Sequence, residues 1–404
     1  MGSKSYSVPQ EARTLFEEGI LNNPLMKDLP AELRSLSKYI RFEGSSKPSI
    51  PINWRFAESI SAMKAFEATM LNHLITRKYK VDPSAVTINT DHASLFIMSP
   101  LLAQIVKDGT PVRLDPFSKE IQESFPSRDL HRSQDSLHRV LATNIYKTKD
   151  GRFYHVHGSM NPDPTLTALE LPLDGEENDT YESVVQRIQS AVSQLDSAAL
   201  DERMNSEYRQ AGTIAWTSDE YFASEHGQQS GKVGLYETCK DGPSAQPASW
   251  WPDSSASIPS SPRRPLAGLK VVDLSRVIAG PAITRSLAEM GASVMRVTAP
   301  HLTDLSALHQ DLNWGKWNCS LDLKDEADKE KLRVLIREAD VVVDGYRPGV
   351  MERLGFGRRA IFDLVKDRSR GIIAVRENCY GWRGPWAHRS GWQQISDAVS
   401  NLVS

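Results

Sequence analysis

The chain of 404 residues is 40% hydrophobic and 25% charged, which are ordinary values for a globular protein with room for two or more domains. Its formal net charge of −3 provides no electrostatic basis for binding nucleic acid or an anionic membrane, and no apolar run reaches the roughly 18 residues of a membrane-spanning helix. The three cysteines, Cys239, Cys319 and Cys379, are too few and too scattered for a disulfide framework or a metal cage. We therefore expect a metal-free protein of a reducing compartment, the cytoplasm. The last residues, NLVS, are not a peroxisomal Ser-Lys-Leu signal, although that compartment stays open.

The first 240 residues predict a mixed α+β module. Apolar residues at helical spacing, from Phe56 to Leu74, predict a long helix over 56–79 with a mostly buried face. The polar stretch from 109 to 150 has no clear assignment. Other patterns predict, in chain order, a strand in VDPSAVTINT, a helix over 92–109, a strand over 151–158, a helix over 180–204 and a helix with Ser218 as its N-cap.

Residues 241–264 form the clearest linker. Proline, serine and glycine dominate this stretch, and no hydrophobic period survives in it. We therefore predict that it divides the chain into two modules, 1–240 and 265–404.

The second module, 265–404, alternates strands with helices. Strands are predicted in LKVVDL, ASVMRVTA, DVVVDGY and GIIAVREN, and helices in PAITRSLAEMG, SLDLKDEADKEKLRVLIREA and RRAIFDLVKDR. Because each pair of parallel strands needs a crossover helix, this order predicts an α/β fold with a parallel, Rossmann-like sheet. Ligands of such sheets bind at the carboxyl ends of the strands.

Two segments at strand ends suit an anionic, aromatic ligand. In SRVIAGPA, the small residues within 279–282 admit a ligand to the backbone, and a helix N-terminus attracts phosphate. The alternative is a tight turn with no ligand. In NWGKWNCSLDLK, Lys316 lies between Trp314 and Trp317, where it holds a phosphate beside an aromatic ring or is a solvated residue of a hairpin.

A third segment, DGYRPGVMERLGFG, follows the most apolar strand. It places Tyr346, Arg347 and Arg353 where a ligand of a parallel sheet lies, although Arg347 is alternatively a solvated charge. In the Trp-rich tail CYGWRGPWAHRSGW, His388 is a candidate base, but a lone histidine in a polar loop is more often inert. The sequence contains no Ser-His-Asp, metal-ligand or P-loop pattern.

Four ordered motifs resemble those of class III CoA-transferases of the CaiB/BaiF type. This family includes formyl-CoA transferase, carnitine CoA-transferase and the α-methylacyl-CoA racemases. The motifs are PLAGLKVVDLSRVIAGP, NWGKWNCSLDLK, DGYRPGVMERLG and GWRGPWAHRSG. The resemblance covers about 140 residues of the second module and implies coenzyme A, bound as an acyl-CoA substrate, with no metal.

The resemblance also implies a map of CoA contacts. The first turn supplies four of them, and further contacts hold the adenine, the phosphates and the thioester region. They fall on Arg276, Val277, Ile278 and Ala279 for the first turn, on Lys316, Tyr346 and Arg353 for the adenine and phosphates, and on Asn378 for the thioester. Two departures weaken this map: Thr298-Ala299-Pro300 replaces an acidic pattern of the family, and Trp317 replaces an arginine.

The first module resembles the opposite, C-terminal part of the same family. The family's catalytic aspartate falls at Ile52-Asn53-Trp54-Arg55, where this chain has no carboxylate. Family members use that aspartate as a nucleophile that forms a mixed anhydride and then a CoA thioester. Glu58 is the nearest candidate replacement. The second copy ends at SDAVSNLVS, before its own aspartate, so we interpret the chain as a truncated form of a longer tandem fungal protein.

The resemblance implies an acyl-CoA:carboxylate CoA-transferase-like protein of fungal secondary metabolism, acting on an acyl-CoA and a small carboxylic acid, and a homodimer. One alternative is a non-catalytic CoA-binding remnant or partner subunit. Another is a racemase-like enzyme in which an acid–base pair moves an α-proton. A further hypothesis is that the two half-modules complement each other into one permuted fold, which requires residues 56–79 to lie near the sheet of 265–300.

Overall fold

The computed structural model describes residues 6–51, 54–96, 98–113, 123–126, 128–240, 246–253 and 260–399. In the first half the helices are α1 Val8–Thr14, α2 Leu33–Leu36, α3 Phe56–Tyr79, α4 Thr90–Phe96, α5 Ser99–Leu102, α6 Leu137–Val140, α7 Asp163–Ala168, α8 Tyr181–Val192, α9 Ser197–Glu202, α10 Ser218–Ala223 and α11 Glu225–Ser230. The strands are β1 Ile40–Glu43, β2 Val86–Asn89, β3 Gln104–Lys107, β4 Thr110–Arg113, β5 Asn144–Lys147, β6 Phe153–His157 and β7 Ala211–Ile214.

These strands form three small sheets. β1 and β2 pair in parallel, β3 and β4 form a hairpin, and β5, β6 and β7 form an antiparallel sheet. The antiparallel sheet packs against α8 and α9 around a core that includes Tyr146, Tyr154, Ile188 and Leu200. The mixed α+β character predicted for this half is confirmed.

The predicted long helix over 56–79 is confirmed as α3, but three local predictions are wrong. Residues 104–107 form β3 instead of continuing a helix, because Asp108 and Gly109 both take positive φ angles (49° and 79°) in a two-residue hairpin turn. The predicted single helix over 180–204 breaks after Val192, because the Asp150 carboxylate accepts hydrogen bonds from Ser197 and so caps a new helix, α9.

The third local error concerns the start of α10. Thr217, not Ser218, is the N-cap, because its hydroxyl accepts from the Glu220 amide while the Glu220 carboxylate accepts from the Thr217 amide. The sequence contains this capping box in Thr217 and Glu220, three residues apart.

The second half contains a five-stranded parallel sheet. Its strands are β8 Lys270–Leu274, β9 Ser293–Thr298, β10 Lys316–Ser320, β11 Val341–Asp344 and β12 Ile373–Arg376, and its helices are α12 Ala279–Glu289, α13 His309–Leu312, α14 Glu326–Glu338, α15 Val350–Leu354, α16 Arg358–Leu364 and α17 Gln393–Val399. The strand order is β10-β9-β8-β11-β12, with all neighbours parallel. The predicted parallel α/β sheet is therefore confirmed.

The strand order defines a binding edge. β8 is central: the chain leaves it toward β9 on one side and later returns to β11 on the other, so the order reverses at β8. Crevices of parallel sheets open at the carboxyl ends of strands at such a reversal. The turn that follows β8, residues 275–278, therefore lies where a ligand is expected.

Both faces of this sheet are covered. One face packs against α14, α15 and α16 through residues such as Leu332, Met351 and Ile361. The other face packs against α12, and Leu74 of α3 joins that same cluster. A residue of a first-half helix thus packs against the sheet of the second half.

Further contacts join the two halves. The Tyr79 hydroxyl donates to the carbonyl of Pro265 at 3.0 Å, so α3 meets the requirement of the complementation hypothesis. At the other end, Ile395 and Val399 of α17 pack on Ala211 of β7. Arg389 pairs with Asp201 at 2.7 Å across the same contact.

The described parts of the predicted linker also contact residues on either side of it in the chain. The indole N–H of Trp251 donates to the carbonyl of Ala267 at 2.9 Å, and the Lys78 ammonium lies 4.8 Å from the Trp251 ring centroid. Residues 241–245 and 254–259 of this segment lie outside the described residues. In the ranges that the structure covers, no helix combines the length and apolarity needed to cross a membrane.

Candidate functional site

The turn after β8, which we call the first turn, comprises residues 275–278 and leads into α12. Val277 has a φ of 71°, a left-handed conformation that is a genuine outlier for a β-branched residue. Ile278 is 47% exposed although it is apolar. Strained backbone and an exposed apolar side chain at a strand's carboxyl end are features of ligand-binding turns.

Gly280 explains how α12 can start so close to β8. A Cβ atom at this position would lie 2.4 Å from the Cβ of Ser275, closer than real contacts allow. Gly280 is buried, so its small size serves packing against Ser275. The prediction that small residues of this turn admit a ligand to the backbone stays a prediction.

Lys316 lies beneath the first turn in a buried polar network. Its ammonium donates to the Asp273 carboxylate at 3.0 Å, the Pro281 carbonyl at 2.9 Å and the Thr284 hydroxyl at 2.7 Å. The Ser275 hydroxyl donates to the other oxygen of Asp273. Burial lowers the pKa of Lys316, and the Asp273 charge opposes that shift.

This location changes the interpretation of NWGKWNCSLDLK. The side chains of Lys316 and Asp273 are both 0% exposed, and a lysine has only three N–H donors, all of which have partners here. The ammonium therefore has no donor left for a phosphate, and it is not the solvated lysine of a hairpin. It is Trp314 and Trp317 that are exposed, on the edge strand β10 and beside it.

A cavity of about 480 Å³ opens at the carboxyl ends of β8 and β9. It extends between the first turn and the loop that follows β9. It is lined by Pro126, Arg128, Ser275, Arg276, Arg296, Val297, Thr298, Ala299, Leu302, Thr303, Asp304, Ser306, His309, Asn318 and Tyr346.

The cavity carries an excess of positive charge. Arg296 is buried and pairs with Asp304, and it also contacts His309 at 3.1 Å. Burial raises the pKa of Asp304, but the His309 hydrogen bond and the Arg296 charge outweigh it and lower that pKa overall. Arg276 donates to the Thr303 carbonyl at 2.7 Å. Among the described residues, no carboxylate forms an ion pair with Arg276 to neutralise its charge.

Two carboxyl groups lie at the ends of the neighbouring strands β11 and β12. Burial raises the pKa of Asp344 to about 6, although the carboxylate accepts the amide of Tyr346 at 2.9 Å. Burial and then the charge of Asp344 raise the pKa of Glu377. Neither carboxyl group lines the cavity.

The cavity brings together only some of the predicted site residues. Arg276 and Tyr346 line it, and Val277, Ile278 and Ala279 belong to or adjoin the first turn. Arg353 lies on α15, outside the lining. The Asn378 amide donates to the Ala387 carbonyl at 2.8 Å and so holds the Trp-rich tail.

The remaining candidates also lie outside the cavity. His388 is exposed. Arg347 donates to the carbonyl of Arg209 at 3.2 Å and so contacts the first half. Glu58 is 1% exposed at the start of α3 and accepts the Tyr6 hydroxyl, while its second oxygen has no partner among the described residues. Ile52 and Asn53, where the family aspartate was expected, lie outside the described residues.

Sequence reasoning missed Arg128, Arg296, Asp304 and His309. Arg296 left a signal: it is a charged residue inside the otherwise apolar strand ASVMRVTA, and such residues are rarely buried without a partner. Arg128 left none, because it lies in the polar stretch that had no assignment. Within the residues that the structure covers, no cluster of three or more His, Cys, Asp or Glu side chains is arranged to hold a metal ion.

The protein thus has a parallel α/β sheet with a basic cavity at the carboxyl ends of its strands, where ligands of such sheets bind. The family model of CoA-transferase family III matches residues 266–404. The chain is 65% identical over 400 residues to acetyl-coenzyme A transferase nodX of Hypoxylon pulicicidum. The matched region covers 99% of this chain and 67% of that protein. This chain belongs to CoA-transferase family III.

More distant relatives were also found. An acyl-CoA transferase of Gibberella moniliformis is 32% identical over 367 residues, 89% of this chain and 62% of that protein. The chain thus spans about two thirds of the length of these two relatives. A crystal structure of a CAIB/BAIF family protein from Brucella suis matches 32% of this chain and 38% of that chain, at 28% identity and a TM-score of 0.30.

Proposed function

We propose that this chain binds an acyl-CoA thioester in the strand-end cavity and takes part in transferring CoA from that thioester to a carboxylic acid. The observation that carries the proposal is the cavity of about 480 Å³ bordered by the strained first turn and by Arg276. CoA carries its negative charge on phosphates, and guanidinium groups bind phosphate through paired hydrogen bonds. The names of the two fungal relatives, acetyl-coenzyme A transferase and acyl-CoA transferase, support the same substrate class.

In this proposal the residues have separate roles. Arg276 and the backbone of residues 277–279 hold phosphates, and Tyr346 lines the same space. Lys316 stabilises the first turn through its buried hydrogen bonds to Asp273, Pro281 and Thr284. Arg353 and Asn378 stay proposed CoA contacts, as the resemblance implied.

Covalent transfer requires a carboxylate that attacks the thioester carbonyl and expels CoA as a thiolate. Glu58 stays the candidate for that role, although it does not line the cavity. The cavity carboxylate, Asp304, is already bound by Arg296 and His309. Because Asp304 is occupied in this way, it is a poor nucleophile. Its pairing therefore favours a second candidate function, in which the chain binds CoA without catalysis.

Titration calorimetry with CoA tests the binding step. We expect the wild-type chain to bind CoA and R276A to bind at least about tenfold more weakly, because a charge-assisted phosphate contact is lost. R34A removes an exposed arginine of the first half that does not line the cavity, so it should bind as the wild type does. Absence of CoA binding by the wild type would overturn the proposal.

An acyl-transfer assay with hydroxylamine then separates the two candidate functions. Transfer together with an acyl hydroxamate formed from the protein supports the enzyme, and E58Q shows whether Glu58 is the acylated group. CoA binding without transfer supports the non-catalytic candidate. Exchange of the α-proton of a 2-methylacyl-CoA would instead indicate racemase-like chemistry.

The domain organisation and the homodimer are proposals as well. The contacts of α3 and α17 support a functional unit composed of both halves, 1–240 and 265–404. Light scattering of the purified chain measures its mass and tests the homodimer.

A further inference from the structure

A segment of the first half borders the cavity of the second half. The Ser306 hydroxyl donates to the carbonyl of Pro126 at 2.8 Å, and Arg128 forms an isolated antiparallel bridge with Asp304. Pro126 and Arg128 both line the cavity. Pro126 and Arg128 therefore form part of a cavity wall that the sheet itself does not supply.

The bridge determines where the Arg128 side chain points. Residues directly opposite each other in an antiparallel pair project their side chains to the same face. Asp304 projects into the cavity, where it meets Arg296. Arg128 therefore projects to the cavity side, and its exposure keeps its guanidinium in reach of a ligand that enters from solvent.

The charges of the cavity leave Arg128 available for an anion. Among the described lining residues, Asp304 alone carries a carboxylate, and Arg296 pairs with it. Among the described residues, no carboxylate forms an ion pair with Arg128 or with Arg276. Two guanidinium groups, one from each half of the chain, thus border the same cavity without neutralisation.

We propose that Arg128 binds a phosphate group of CoA, so that the two halves of the chain together form the CoA site. This inference rests on the proposed function and adds a residue from a part of the chain that the family model does not match. The ligand chemistry is a phosphate ester or diphosphate, which arginine binds through paired N–H donors. Its two sources within CoA are the ribose 3′-phosphate and the pyrophosphate.

The test compares R128A with R132A by titration calorimetry. Arg132 follows in the same segment and pairs with Asp174 instead of lining the cavity, so R132A removes the same charge at a neighbouring place. We expect R128A to weaken CoA binding about three- to tenfold, as is reasonable for an exposed charge, and R132A to bind as the wild type does. R128K should recover part of the loss, and 0.5 M salt should shrink the difference from wild type.

Dephospho-CoA identifies the phosphate. If wild type and R128A bind dephospho-CoA equally, Arg128 contacts the 3′-phosphate, and if the difference persists, it contacts the pyrophosphate; both results support the proposal. Equal CoA affinities of R128A and wild type, with R276A still impaired, would overturn this inference and leave the proposed function intact. Equal losses in R128A and R132A would also overturn it, since the effect would then be one of net charge. A wild-type chain that binds no CoA would instead remove the proposed function itself.

Discussion

Lys316 and Asp273 carry formal charges although their side chains are fully enclosed beneath the first turn. Removing two charges from water is costly, and only close pairing with additional hydrogen bonds offsets that cost. Here Thr284, Ser275 and the Pro281 carbonyl supply those hydrogen bonds. The network therefore ties the edge strand β10 to the central strand β8 and to the start of α12.

We expect K316M to lower the free energy of unfolding by about 3–5 kcal/mol, because it leaves the Asp273 carboxylate buried without its counter-charge. Urea denaturation measures this loss. K331M removes one partner of the exposed Lys331–Asp328 pair and serves as the control, with no measurable loss expected. A K316M protein as stable as wild type would show that the pair is not an essential support of the turn.

Among the elements, the first turn combines strain with exposure. The left-handed φ of Val277 costs about 1–3 kcal/mol for a non-glycine residue. The surrounding packing maintains it, since Gly280 and Gly345 both pack closely against Ser275. A strained turn held in this way presents its backbone to a ligand in one conformation.

The substitution V277G should therefore relieve the strain of the positive φ angle and at the same time make the first turn more flexible. We expect its free energy of unfolding to stay within about 1 kcal/mol of wild type or to rise, because glycine adopts positive φ freely but costs more chain entropy. We expect its affinity for CoA to fall. V277A keeps the strain and removes most of the side chain, so equal CoA affinities of V277A and V277G would indicate a side-chain contact instead of a backbone effect.

Other elements show why local patterns fall short. The pattern of residues 180–204 is helical throughout, yet the carboxylate of Asp150 starts a second helix at Ser197. Likewise, residues 104–107 look helical, but the Asp108–Gly109 turn pairs them with β4. In both places the backbone conformation depends on a partner outside the predicted helix, Asp150 in one case and β4 in the other.

At the scale of the whole molecule, the two halves share cores and ion pairs. Asp201 and Arg389 come from different halves, and their side chains are 17% and 12% exposed. Burial raises the pKa of Asp201, and the charge of Arg389 opposes that shift. Such a pair couples the unfolding of the two halves.

We expect R389M to lower the free energy of unfolding by about 2–4 kcal/mol, because Asp201 then remains mostly buried without its partner. If the halves form one cooperative unit, calorimetry should show a single transition that moves as a whole to lower temperature. R383M, at an exposed pair with Glu237, is the control for loss of an arginine from the same loop. Two separate transitions, only one of them shifted, would contradict a single unit.

The sequence by itself predicted most of the local elements and the resemblance to the family. Alternation of apolar strands and helices predicted the parallel sheet, and its motifs placed Arg276 and Tyr346 at the strand ends, where the cavity lies. Only the tertiary structure decided which way Lys316 points: on β10 the charged Lys316 faces inward and the apolar Trp317 outward, against the usual preference. It also decided that Arg128 reaches the cavity. The reason is that both placements depend on partners far away in the chain, Asp273 and Asp304, and local periodicity carries no information about such partners.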